Sequence, residues 1–220
     1  MLCARPESRC ISADRQVTSE RPEPSVREIW ATADVRGIAV YQAFKPTIAD
    51  EALRLGTFGK GFNRERLTWI KTSFGWMLHR SRYATKHRQE RVLRIWLHHE
   101  GFRTILSKAV PTAHDPGLFP SPADWRVALA RSEVRYQWDP DRDVRLRRLD
   151  RRALQLGLKG GIVSEYVGSW IVGIEDATPL TRAIKEAVDK GRELPPFPEE
   201  RIYDVAPGIR RTLGMENPSG

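Results

Sequence analysis

Short strand-like segments alternate with short helix-like ones along this chain, and that alternation restricts the fold more than any other feature. Gly37-Ile-Ala-Val-Tyr-Gln-Ala-Phe44 is apolar, with β-branched and aromatic residues, and reads as a buried strand. Pro46 closes it, and Thr47 can cap a helix over 48–55 whose Ile48, Ala52 and Leu55 share one face. Gly56 stops that helix. Leu67-Thr-Trp-Ile-Lys71 reads as a strand, and Ser73 can cap a helix over 74–81 with Phe74, Met77 and Leu78 facing inward. Arg91–Leu97 alternates as a strand with one basic face, and 100–110 reads as a helix. Further on come a short helix over 124–131, a strand over 134–138, a turn at Asp139-Pro-Asp141 and a strand over 153–158. A helix from Ile162, a strand over 170–175 and a helix over 178–188, with Pro179 just inside its start, complete the series. Each segment is too short to bury its apolar face alone, so the alternation predicts one mixed α+β domain.

The ends behave differently. Residues 1–26 are polar, carry Pro6, Pro22 and Pro24 and show no hydrophobic period, which predicts a disordered leader. The domain is expected over 27–194, with an extended C-terminal segment over 195–220 packing on it. The two cysteines, Cys3 and Cys10, both fall in the leader, which argues against a disulfide framework and against a cysteine zinc site. No apolar run approaches the roughly 18 residues of a membrane-spanning helix, and the N-terminus lacks the apolar core of a secretion signal. The expectation is a soluble cytoplasmic protein.

Charge gives the first functional hint. The net charge is +9, and the excess lies in 29 Arg against 8 Lys. Arginine pairs bidentately with phosphate and stacks on bases, so a polyanionic partner or a phosphate-rich ligand fits this balance. A genome rich in arginine codons would produce the same bias without a function. The run Arg145-Leu-Arg-Arg-Leu-Asp-Arg-Arg152 is the densest patch. A solvated face is its ordinary reading. Beside Arg135, Tyr136 and Trp138, its Arg145, Arg147 and Arg148 are candidates for a nucleic-acid groove with stacking surfaces.

No zinc-protease, phosphate-loop, dinucleotide-fold or nucleophile-elbow pattern occurs. His98-His99 lacks a third ligand at metal spacing, so no metal is expected. Thr68-Trp-Ile-Lys-Thr-Ser-Phe-Gly-Trp-Met-Leu-His-Arg-Ser81 is more informative. Lys71 and Arg80 flank a Thr72-Ser73 pair where a strand runs into a helix. Two hydroxyls, two cations and free helix N–H groups would suit a phosphate. Trp69 and Trp76 are candidates to stack on a base or a nicotinamide ring. The competing reading makes Ser73 a plain helix cap and both tryptophans core. Gln42, inside an apolar strand, and Gln155 must each find partners or line a cavity.

Taken together, Val40-Tyr-Gln-Ala-Phe44, Arg66-Leu-Thr-Trp-Ile-Lys71, Ser73-Phe74, Trp76-Met77, Arg80-Ser81, Gln89-Glu-Arg-Val-Leu93, Gln137-Trp-Asp-Pro140, Gln155-Leu-Gly157 and Ile174-Glu-Asp-Ala-Thr178 carry a resemblance. The chain resembles, over about 27–215, the family called domain of unknown function 4291, a name that brings no chemistry. It is more distantly similar, in the order of its elements, to the ADP-ribosyltransferase superfamily. That similarity implies a central, largely antiparallel split sheet flanked by short helices. It also implies NAD as substrate and a nucleic acid or nucleotide as acceptor. Tyr41, Gln42 and Gln155 would then serve the catalytic ribose, and Arg66, Lys71, Thr72, Ser73, Trp76 and Arg80 would hold the dinucleotide. The chain departs from that superfamily in lacking an evident late catalytic Glu: Gln155 occupies the neighbourhood, with Glu90 and Glu165 as poorer substitutes. The rival expectation is a non-enzymatic RNA- or DNA-binding module that uses the arginine run.

Overall fold

Period-two alternation decides which side of the sheet each residue faces, and the strand over 148–158 shows how. Its Leu154, Leu156 and Leu158 enter the main core, while Ala153, Gln155 and Gly157 face the opposite side. The computed structural model describes residues 27–215. The expected leader, with both cysteines, and the final residues 216–220 lie outside the described residues.

In chain order the strands are β1 (Trp30–Ala31), β2 (Ala33–Asp34), β3 (Gly37–Phe44), β4 (Thr68–Lys71), β5 (Arg91–Leu97), β6 (Ala109–Pro111), β7 (Val134–Arg142), β8 (Arg148–Leu158), β9 (Ile171–Asp176) and β10 (Arg201–Ile202). The helices are α1 (Pro46–Leu55), α2 (Phe74–Ser81), α3 (His99–Ser107), α4 (Pro122–Arg131), α5 (Gly161–Glu165), α6 (Thr178–Asp189) and α7 (Pro207–Thr212); a π-helical turn, Tyr166–Trp170, continues α5. The main sheet runs β6-β7-β8-β4-β3-β5-β9, with β2 pairing β3, and β1 pairs β10 separately. Every pair is antiparallel except β6 with β7. The architecture is therefore mixed, with one largely antiparallel sheet and short helices against it.

One face of the sheet is apolar. Val40, Ile70, Leu93, Ile95, Leu154 and Leu156 meet Phe102, Ile105 and Tyr166 from α3 and the π-turn there. The other face carries a polar row. Gln137, Gln155, Lys71, Tyr41, Arg94 and Glu175 occupy successive strands at one register, so they share that side. A second, smaller core covers part of this row, with Tyr41 against Phe74, Met77 and Leu78 of α2 and Ile184 of α6. No helix among the described residues is long and apolar enough to cross a membrane.

Two features of α2 shape the region that follows. Gly75 lets the helix touch β7: a Cβ there would stand 1.9 Å from the Arg142 carbonyl oxygen. Past its C-terminus, Arg82, Tyr83 and Ala84 take φ values of 51°, 54° and 61°, three successive left-handed residues that are not glycine. Each costs roughly 1 kcal/mol against the right-handed form. The segment is held by Ser81, whose Oγ donates to the Met77 carbonyl (2.9 Å) and accepts from Ala84 N (3.2 Å), and by Tyr83 OH donating to the Val144 carbonyl (2.8 Å).

Several local expectations need correction. β3 ends at Phe44, as expected, but Pro46 also opens α1, with Lys45 rather than Thr47 at the cap, because proline's fixed φ suits the first helical turn. Asp139-Pro-Asp141 is not a turn: β7 continues to Arg142, and the chain reverses at Asp143, whose Oδ1 accepts from Arg145 N and Arg147 N. The basic run is partly strand, since β8 begins at Arg148. Helix α3 stops at Ser107, and 109–111 pairs in parallel with β7. His98 is the cap of α3, its Nδ1 accepting from Gly101 N at 2.9 Å.

Candidate functional site

The sheet opens between β3 and β4. These strands meet at a single pair, Tyr41 opposite Lys71, whereas β3 with β5 and β4 with β8 stay paired along their lengths. Beyond that pair the strands diverge, and the side chain of Gln42 spans the gap. Its Nε2 donates to Thr68 Oγ1 (2.7 Å) and to the Trp69 carbonyl (3.1 Å), and its Oε1 accepts from Tyr166 OH (2.7 Å). An amide can replace missing ladder hydrogen bonds because it carries both donors and acceptors. This explains why a glutamine stands in an otherwise apolar strand.

The opening is a cavity of about 470 Å³. β3 and the turn into α1 supply Gln42, Phe44 and Lys45; β4 and the loop before it supply Arg66, Trp69 and Lys71; α2 supplies Met77 and Arg80; and the strained loop supplies His87 and Arg88. Five of the lining residues are Lys or Arg and none is Asp or Glu. Arg66, Arg80 and Arg88 are exposed and make no ion pair among the described residues. Trp69 lies over Gly157, where a Cβ would come within 3.1 Å of the indole ring. A residue with a side chain there would displace the tryptophan.

Lys71 forms the inner wall. It is 6 % exposed, and its Nζ donates to the Trp69 carbonyl at 3.2 Å, the same oxygen that Gln42 reaches. Burial, reinforced by the Arg80 cation and opposed by Asp139, lowers its pKa from 10.5 to about 7. Asp139 does not pair with it. Asp139 instead accepts from Gln137 Nε2 (3.1 Å) and from Gln155 Nε2. Gln155 is the cross-strand neighbour of both Lys71 and Gln137, and its amide engages Asp139, the acidic group that acts on the lysine.

The remaining sequence candidates lie elsewhere. Thr72 and Ser73 are buried and do not line the cleft. Ser73 caps α2, accepting from Trp76 N (3.1 Å) and donating to Asp141 Oδ1 (2.6 Å). The N-terminus of α2 is not open to a phosphate, because Glu200 from the C-terminal segment accepts from Phe74 N at 2.6 Å. Arg151 bridges Asp141 and Glu200 (2.7 and 2.8 Å). Burial pushes the Glu200 carboxyl up to about 7, with Asp141 adding to it and the Phe74 N–H and Arg151 opposing it. Trp76 sits beside His79 with ring centroids 5.0 Å apart, outside the cleft lining. Tyr41 is fully buried against Phe74 and faces a separate 90 Å³ cavity with Arg94 and Glu175. Burial raises its hydroxyl well above the ordinary tyrosine value.

The structure thus gathers Gln42, Arg66, Lys71 and Arg80 at one cleft, sets Gln155 behind Lys71, and leaves out Tyr41, Thr72, Ser73 and Trp76. Lys45, His87 and Arg88 also line the cleft and were not singled out from the sequence; the cluster Lys86-His87-Arg88 just after a helix was the available signal. The aromatic residues expected to stack beside the arginine run, Tyr136 and Trp138, lie on the core side of the sheet. Tyr136 is buried in the main core, and Trp138 packs there with its Nε1 donating to the Leu213 carbonyl (2.9 Å), because both alternate onto the apolar face. Arg145 and Arg148 are exposed at the β7–β8 hairpin, and Arg147 pairs with Asp143 (2.7 Å). Among the described residues no group of His, Cys, Asp and Glu is arranged to hold a metal ion.

No curated protein matches the chain at significance. The family model described as Domain of unknown function (DUF4291) matches residues 28–203, and the chain belongs to that family.

Proposed function

We propose that the split-sheet cleft binds a phosphate-bearing nucleotide and that the protein is an NAD-dependent, ADP-ribosyltransferase-like enzyme acting on a nucleic acid or nucleotide. The observation that carries this reading is the charge of the cleft wall, with five cations, no carboxylate and three arginines lacking ion pairs among the described residues. Guanidinium groups in that condition favour a phosphate or pyrophosphate. The cavity volume falls within the range of small-molecule and cofactor sites, roughly 300–1,000 Å³. In this reading Arg66, Arg80 and Arg88 neutralise the pyrophosphate and Trp69 offers a flat face to a base. Gln42 keeps the strands apart, and the neutral form of Lys71, which its pKa of about 7 makes available near neutrality, accepts a proton from the attacking acceptor.

The test is NAD consumption by the purified protein with and without short DNA and RNA oligonucleotides, followed by mass spectrometry of protein and nucleic acid. A mass gain matching ADP-ribose, lost in Arg80→Ala and Arg66→Ala variants that remain folded, is the expected result. Unchanged NAD in every condition overturns the enzymatic part. A second reading rests on Arg145 and Arg148, which are exposed at one hairpin and make no ion pair among the described residues: a non-enzymatic nucleic-acid surface. It predicts oligonucleotide affinity that falls steeply with salt and drops in Arg145→Ala and Arg148→Ala.

A further inference from the structure

Lys71 is unusual in more than its charge. Lysines are rarely buried unless paired. Here the amine sits in the gap between two diverging strands, holds one backbone carbonyl, and has no carboxylate within ion-pair distance among the described residues. The charged groups that act on it come from two elements, Arg80 of α2 and Asp139 of β7, and Asp139 is occupied by Gln137 and Gln155. The result is an amine poised at the wall of a cavity, where burial first and the Arg80 cation second disfavour its protonation. A neutral lysine amine is a nucleophile toward carbonyl carbon.

We propose that Lys71 Nζ is a covalent nucleophile that condenses with the carbonyl of a phosphate-bearing aldehyde or ketone held in the cleft. The nitrogen lone pair attacks the carbonyl carbon, and the C=O π pair moves to oxygen, which takes a proton to give a carbinolamine. Loss of the hydroxyl as water, with the remaining N–H proton released, leaves the C=N bond of an imine. Amine plus carbonyl gives imine plus water, so no oxidant or reductant is needed and hydrolysis reverses the step. The phosphate partners are Arg66, Arg80 and Arg88, which make no ion pair among the described residues. This inference rests on the cleft as an anion site and not on NAD as its ligand. It is compatible with that reading, since ribose released from a nucleotide exposes an aldehyde in its open-chain form.

Pyridoxal phosphate followed by borohydride is the probe, with peptide mapping of the reduced adduct. The expected result is a saturable adduct on Lys71 at pH 7, formed at least about tenfold faster than on exposed lysines, whose neutral fraction is roughly a thousandth as large. Inorganic phosphate should compete, pyridoxal without its phosphate should label at least about tenfold more slowly, and Arg80→Ala should narrow the difference between the two reagents. The folded Lys71→Met variant should lose the saturable adduct. Labelling spread over surface lysines with Lys71 spared overturns the nucleophile, whatever the NAD assay gives. Equal labelling of Lys71 by both reagents without phosphate competition overturns the substrate class. A saturable cleft adduct that persists in Lys71→Met overturns the assignment of the residue.

Discussion

Replacing Lys71 by methionine tests the central electrostatic argument without knowing the ligand. Methionine is close to lysine in length and carries no charge to desolvate. The lysine pKa is depressed from 10.5 to about 7, so between those values the unfolded chain binds a proton that the folded chain does not. Stability therefore rises with pH across that window. The penalty is complete below pH 7 and absent above 10.5. A shift of this size corresponds to about 5 kcal/mol. Against it stands the hydrogen bond from Nζ to the Trp69 carbonyl, worth about 1 kcal/mol, and that carbonyl keeps its bond from Gln42. The Met variant should thus be about 3–4 kcal/mol more stable than the parent at pH 6, and the advantage should shrink by about 1.4 kcal/mol per pH unit above 7. By pH 10 it should vanish. Urea unfolding of both proteins at several pH values, in buffers without phosphate, measures the difference directly. An offset that does not change with pH, or a Met variant less stable at pH 6, refutes the claim that the amine is buried without a counter-ion.

Other expectations follow from neighbouring groups. Glu200 has its folded pKa raised to about 7, so the folded state holds the extra proton and stability falls as pH rises from about 4.5 to 7. Glu200→Gln should flatten that part of the urea-derived stability curve, which spans about 3 kcal/mol; an unchanged curve would place the carboxyl in water. Ser73→Ala removes the α2 cap and leaves Asp141, fully buried, with one donor fewer. A loss of about 2–3 kcal/mol in chemical denaturation is expected, against about 1 for a cap alone. Arg82 is exposed at a φ of 51°, so Arg82→Gly should raise the melting temperature by about 2–4 °C, the yield of roughly 1 kcal/mol in a chain of this size. A lower melting temperature would show that the arginine side chain holds the loop. Gly75→Ala should cost more than about 3 kcal/mol or prevent folding, because its new carbon meets backbone and not a movable side chain; near-wild-type stability by the same assay would mean that α2 can shift.

Local chemistry alone determined much of this protein. Ser73 three residues before Trp76, with Phe74, Met77 and Leu78 on one face, specifies α2 wherever the helix is placed. Alternation specifies β5 and the apolar face of β8. Gln42 within an apolar strand already demanded partners, and Lys71 and Arg80 stood out as cations around one strand–helix junction. Partners distant in sequence decided the rest. Asp139-Pro-Asp141 is turn-like in composition, yet pairing with β8 draws it into a strand. The helix end that looked open to phosphate is filled by Glu200, which lies 126 residues later in the chain. Tyr41 and Gln42 are adjacent in sequence, but the pleat sends them to opposite faces, one into a small separate cavity and the other into the split. Trp138 has the character of a stacking surface, but its register turns it into the core. Lys71 gains its near-neutral amine only because β4 separates from β3, Gln155 engages Asp139, and Arg80 returns from α2. A pKa of this kind is a property of burial and of neighbours remote in sequence, which one-dimensional spacing does not encode.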